Sequence, residues 1–208
     1  MANLLDILNS DLGKQIISGI GRQTGASQKE TSSVLSSALP AMLDGLHKNA
    51  SQGGANGIME ALTQHDGSIL DNVTDFLSGG NKVADDGKGI LGHIFGSQLG
   101  AVTNGISKQA GVSASKTSSI LEMAAPVLMG YLGKQTQSSG VTGGGGLAGM
   151  LGGLLGGSGG GSILSSLLDQ NGDGKLDIAD IASVVTGTNK AKGGGLLGGL
   201  LGGLFGKK

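Results

Sequence analysis

Residues 19–48 read GIGRQTGASQKETSSVLSSALPAMLDGLHK, and residues 105–134 read GISKQAGVSASKTSSILEMAAPVLMGYLGK. The two stretches align without a gap at an offset of 86, with 13 of 30 positions identical. Gly25 matches Gly111, Ser27 matches Ser113, and Thr31-Ser32-Ser33 matches Thr117-Ser118-Ser119. The chain has 2 prolines, Pro40 and Pro126, and both fall at one position of the pattern. One inserted residue extends the match upstream, Ser10-Asp11-Leu12-Gly13 against Ser97-Gln98-Leu99-Gly100. Self-similarity on this scale reads as an internal duplication.

Each copy spells helix, turn, longer helix. Gly25 and Gly111 stand where a left-handed residue closes the first helix. Ser27 with Glu30 forms a capping box for the second, whereas Lys116 replaces that glutamate in the other copy and leaves only the Ser113 cap. Beyond the caps, Val34, Leu35, Ala38, Leu39, Met42 and Leu46 recur every three or four residues. Ile120, Leu121, Ala124, Val127, Leu128 and Leu132 do the same, so each long helix buries one face. Pro40 and Pro126 lie inside these patterns and predict that each helix is kinked or split there. Segments 58–63, 68–77 and 90–95 read as shorter helices between Gly-rich turns, and no segment alternates as a strand does.

The expected fold is therefore all-α. A duplicated multihelical domain covers 1–135, with repeats at about 10–50 and 97–135. A Gly-rich flexible linker follows over 136–161, then a single EF-hand-like loop with two short helices over 162–187, and a Gly/Leu-rich tail over 188–208.

The repeated G-x-x-x-Q-x-G-x-S motif, the long helix with its proline, and GILGHIFG at residues 89–96 resemble the bacterial YidB-like proteins, domain of unknown function 937. The resemblance covers roughly residues 3–135. It implies a soluble bacterial multihelical domain and brings no catalytic residues, since the family has none assigned.

The one motif with chemistry in it is DQNGDGKLDIAD at 169–180. Asp169, Asn171, Asp173, Gly174, Lys175, Asp177 and Asp180 fall at positions 1, 3, 5, 6, 7, 9 and 12 of an EF-hand loop. Calcium takes six to eight hard oxygens, which short Asp and Asn side chains two residues apart can aim inward from a tight loop. Gly174 permits the sharp turn, and Lys175 would offer its backbone carbonyl. Asp180 stands where a glutamate is usual. It is one methylene shorter, which weakens Ca²⁺ binding or favours Mg²⁺. The expected ligand set is Asp169, Asn171, Asp173, Lys175, Asp177 and Asp180, with Ca²⁺ as the ion and Mg²⁺ as its alternative. The terminal Asp also resembles half of a dockerin module, but no second copy follows.

Composition bounds the rest. Of 44 glycines among 208 residues, 20 lie in 1–133 and 24 in 134–208. Four aromatic residues and a net charge of −1 leave no basis for nucleic-acid binding. The absence of Cys removes disulfides, thiolate metal sites and cysteine nucleophiles together. Residues 143–161 and 193–206 are Gly-Leu runs. Gly costs about 1 kcal/mol per helical position against Ala, so neither run is expected to form a stable helix in water. A flexible linker and a sticky tail are the expectation. Glycines four apart (149, 153, 157 and 198, 202, 206) also suit close helix approach in lipid, with Lys207 and Lys208 near anionic headgroups. The expected partners are thus an unknown protein or a second copy, with peripheral membrane contact through the tail as a further option.

The start, MANLLDILNSDLGKQ, carries Asp6 and Asp11 where a signal peptide would be uninterrupted and apolar. A cytoplasmic location is expected on that ground, with the envelope or non-classical secretion as alternatives. His47, His65 and His93 share no ligand spacing, and His65 reads as a solvated loop residue. The Thr-Ser-Ser triplets sit in first turns of capped helices without a nucleophile elbow. The expectation is a non-catalytic protein.

Overall fold

A computed structural model of the chain describes residues 8–155. Its helices, in order, are α1 Asp11–Thr24, α2 Gln28–Asn49, a π-helical turn Ala50–Gly54, α3 Ala55–Gln64, α4 Val73–Ser78, α5 Asn81–Phe95, α6 Leu99–Ala110, α7 Ala114–Ser138 and α8 Gly143–Leu154. Short 3-10 turns, Ser68–Leu70 and Gly96–Gln98, precede α4 and α6. The described residues are all-α, with no strand among them.

The local signals are realised atom by atom. Ser10 Oγ accepts from the Gly13 N–H at 3.1 Å and starts α1. Gly25 ends it at φ 66°, ψ 20°, a left-handed conformation that costs other residues about 1–2 kcal/mol. The Ser27–Glu30 box is complete: the Glu30 N–H donates to Ser27 Oγ at 3.2 Å and the Ser27 N–H to Glu30 Oε2 at 2.7 Å. The second segment repeats the scheme. Gly111 ends α6 at φ 68°, ψ 29°, and Ser113 Oγ accepts from the Lys116 N–H at 3.4 Å. The Ala26 N–H donates to the Gly21 carbonyl as the Val112 N–H does to that of Ser107.

Both long helices run unbroken through their prolines, so of the expected kink or split the split does not occur. A proline withholds its N–H from the carbonyl one turn back. For Pro126 that carbonyl belongs to Glu122, and α5 crosses α7 with Gly87 directly on it, so close that a Cβ on Gly87 would overlap the Glu122 C=O. Neighbouring backbone thus covers the place where α7 lacks an internal hydrogen bond. This α5–α7 crossing is the most extensive helix contact of the fold.

The core is built on α2 and α7. Leu35, Met42 and Leu43 from α2 and Ile120, Leu121 and Leu132 from α7 are fully buried, joined by Ile20, Leu62, Leu77, Leu91 and Ile106 from the surrounding helices. Leu35, Met42, Ile120, Leu121 and Leu132 belong to the periodic pattern of the sequence, and burial of each contributes about 1.5–3 kcal/mol.

The Gly-rich stretch after α7 departs from expectation. Instead of a flexible linker beginning at 136, α7 continues to Ser138 and residues 143–154 form α8, although seven of its twelve residues are Gly. Leu147 and Leu151, one turn apart, are both fully buried against the side formed by α2, the π turn and α3. Propensity argues against this helix. Tertiary docking of one apolar stripe holds it, as it does most helices in proteins.

Candidate binding cleft

α2 does not stop at Asn49. It widens into the π turn, where Gly53 takes φ 98°, and the chain is re-aimed into α3. Gly53 leaves the helical region altogether, so the segment is a kink between two helices rather than a regular turn of helix. Here the turn and the end of α5 enclose a cleft of about 500 Å³. Its wall is mainly apolar: Leu46 and Ile90 from the core, Ile58 and Ala61 from α3, and Met129 from α7. The polar groups at its edge are Asn49, Gln52 and His93. A second hollow of about 450 Å³ shares Asn49, Gln52, His93 and Ile94 and continues past Phe95 to Gln98.

Asn49 fixes the shape of this region. Its side-chain amide donates to the carbonyls of His93 at 3.1 Å and Ile94 at 3.0 Å. Those carbonyls lie in the last turn of α5, where the helix itself supplies no donors. One side chain from α2 thus caps α5 and sets the spacing of the two cleft walls. Gln52 and His93 are exposed, and the cleft wall holds no pairing of a nucleophile with a base.

The other singled-out residues are scattered. His47 lies beside Gly152 of α8, and His93 is at the cleft. His65 is not a solvated loop residue: its side chain is 17 % exposed, with Nδ1 2.9 Å from the Ala61 carbonyl and Nε2 3.1 Å from Asp86 Oδ2. It ties the end of α3 to α5. Thr31 and Thr117 of the Thr-Ser-Ser triplets are buried, and Thr31 Oγ1 donates to the Ser27 carbonyl at 3.0 Å. No group of three His, Asp or Glu is placed to hold a metal among the described residues. The expected ligands Asp169, Asn171, Asp173, Lys175, Asp177 and Asp180, together with the tail over 188–208, lie outside the described residues. No helix among those described is long and apolar enough to cross a membrane.

Sequence reasoning missed Asn49, Gln52 and the cleft. The available signal was Gly53-Gly54 directly after the periodic run of α2, which marks a re-aimed chain, but nothing local pairs Asn49 with residues more than forty positions away.

Over the described residues the chain is a strand-free helical domain with a mainly apolar hollow between α2, α3 and α5. The chain belongs to the family described as "Bacterial protein of unknown function (DUF937)", which matches residues 6–135. Comparison with curated proteins and with solved structures finds no match. The family match ends inside α7, short of α8.

Proposed function

We propose that this protein is a non-catalytic interaction module whose helical domain receives an apolar side chain of a partner protein in the cleft between α2, α3 and α5. The observation that carries the reading is the cleft itself: an apolar wall with side-chain amides at its edge. An apolar group gains from leaving water there, and the edge orients the polar part of the ligand. Gly57 supplies the test. It lines the cleft, and a Cβ added there meets nothing within 4 Å. Gly57→Leu occupies part of the hollow next to Ile58 and Ala61 and replaces a helical glycine without a clash. Fluorescence of anilinonaphthalene sulfonate should rise with the parent protein and fall by most of its amplitude in the variant. Equal fluorescence from both, with both folded, removes the cleft from the argument.

The second part of the proposal is a divalent-cation site at 169–180, with Ca²⁺ as the ion and Mg²⁺ as the alternative. Seven loop positions carry residue types that fit it. Asp169, Asn171, Asp173, Asp177 and Asp180 supply side-chain oxygens and Lys175 its carbonyl. A lone loop ending in Asp belongs in the weak range, on the order of 0.1–1 mM. Calorimetry of the full chain with CaCl₂ and with MgCl₂ should give a binding heat that Asp169→Ala abolishes. Absence of heat from both ions, or heat indifferent to the substitution, rejects the site.

A further inference from the structure

α8 closes a groove whose walls are α2, the π turn and α3. Leu147 and Leu151 fill it, and two glycines let the backbones approach. A Cβ on Gly144 would stand 2.8 Å from Ala55 Cβ, and one on Gly152 would stand 3.6 Å from His47 Nε2. Fifty residues later the chain repeats this element. Residues 143–156, GGGGLAGMLGGLLG, and 193–206, GGGLLGGLLGGLFG, align without a gap, with 10 of 14 positions identical. Leu197 and Leu201 fall at the places of Leu147 and Leu151, and Gly194 and Gly202 at those of Gly144 and Gly152. The four differences are Leu196 for Gly146, Gly198 for Ala148, Leu200 for Met150 and Phe205 for Leu155. None introduces a charge, and each segment holds 8 glycines, so the intrinsic cost of a helix is similar in both.

One groove and two segments of the same docking pattern make its occupancy a competition. We propose that residues 193–206 take the place of α8 in the groove of their own chain, so that the domain has two alternative straps. Even with residues 162–187 folded around an ion, the rest of 157–192 spans about 30 Å when extended, more than the roughly 18 Å length of a twelve-residue helix such as α8. A tether of that kind holds its segment at an effective concentration approaching mM, above that of a second chain in dilute solution. α8 has the shorter tether, residues 139–142, and therefore holds the groove unless it is weakened. The exchange releases Leu147 and Leu151 to the outside and buries Leu197 and Leu201.

The chain contains no Cys, so an introduced pair reports contact without background. His47→Cys with Gly202→Cys places thiols at the contact that Gly152 makes in α8, where a Cβ has ordinary van der Waals room, 3.6 Å from the His47 ring. In the full chain carrying Leu147→Ser and Leu151→Ser, mild oxidation should yield a cross-linked monomer. Adding Leu197→Ser and Leu201→Ser should lower the yield at least five-fold. The same cysteine pair in a chain with intact α8 should give the same product more slowly, which keeps the test valid if the weakened helix impairs folding. No monomeric cross-link in either background, or a yield indifferent to the tail serines, overturns the proposal. A cross-linked dimer overturns it too, in favour of the groove of a second copy.

Discussion

Glu30 and Lys116 occupy the same position of the two similar segments, 86 residues apart, and their side chains meet, with Lys116 Nζ 3.0 Å from Glu30 Oε1. The two helix starts thus face each other at this point. A glutamate in both would set two negative charges against each other. The lysine that the sequence presents as a lost half of a capping box is the counterion of the glutamate that completes the other box. The Ser27 N–H, the Lys116 ammonium and the Ser27 hydroxyl together hold the Glu30 carboxyl down from 4.5 to about 2.

A carboxyl whose pKa is depressed in the folded state stabilises fully above its unfolded value and ceases to do so below its folded one. The contribution of Glu30 should therefore be intact above pH 4.5 and disappear as the pH falls toward about 2. At neutral pH, Lys116→Glu should lower the melting temperature, and Glu30→Lys with Lys116→Glu should recover most of the loss. Both changes should shrink in about 1 M salt, because the pair is partly exposed. A melting temperature indifferent to Lys116→Glu would show that the contact is without consequence.

Two glycines of α5 should respond oppositely to one substitution. Gly89 is exposed and a Cβ there meets nothing within 4 Å, so Gly89→Ala should stabilise by about 0.5–1 kcal/mol. Gly87 lies on the Glu122 carbonyl, so Gly87→Ala must push α5 from α7 and should cost about 1–3 kcal/mol. Urea unfolding of the pair measures both. Equal signs would mean that the helices do not cross as described.

Asn49→Ala removes two hydrogen bonds to the end of α5. The expected loss is about 1–3 kcal/mol, at roughly 0.5–1.5 per bond. Amide exchange should quicken over the last turn of α5 and in the Gly96–Gln98 turn while the α1–α2 caps stay protected. Uniform acceleration across the domain would instead mark a global effect.

The turn from α1 to α2 and the turn from α6 to α7 were legible because their signals are local: a left-handed glycine, a capping serine, an apolar face at helical spacing. The core followed from the same periodicity. The cover over the carbonyl that Pro126 leaves without a donor was not legible, because it comes from Gly87 in another helix. Nor was the cleft, which rests on Asn49 reaching across 44 and 45 residues. His65 was misread for the same reason, since Asp86 is 21 positions away. α8 failed in the opposite direction: its propensity was judged correctly, and two leucines docked in the core overrode it. The metal-loop residues lie outside the described part of the chain, and their reading stands on spacing alone.

α8 also bears on how this domain can be handled. A fragment cut at residue 135, where the family match ends, would lose Leu147 and Leu151 and leave their greasy seam facing water. Uncovered seams of this kind drive soluble domains to clump. The smallest well-behaved piece of the protein therefore reaches at least Leu155, and a preparation that precipitates when trimmed to the family boundary would be reporting a missing lid rather than a poor core.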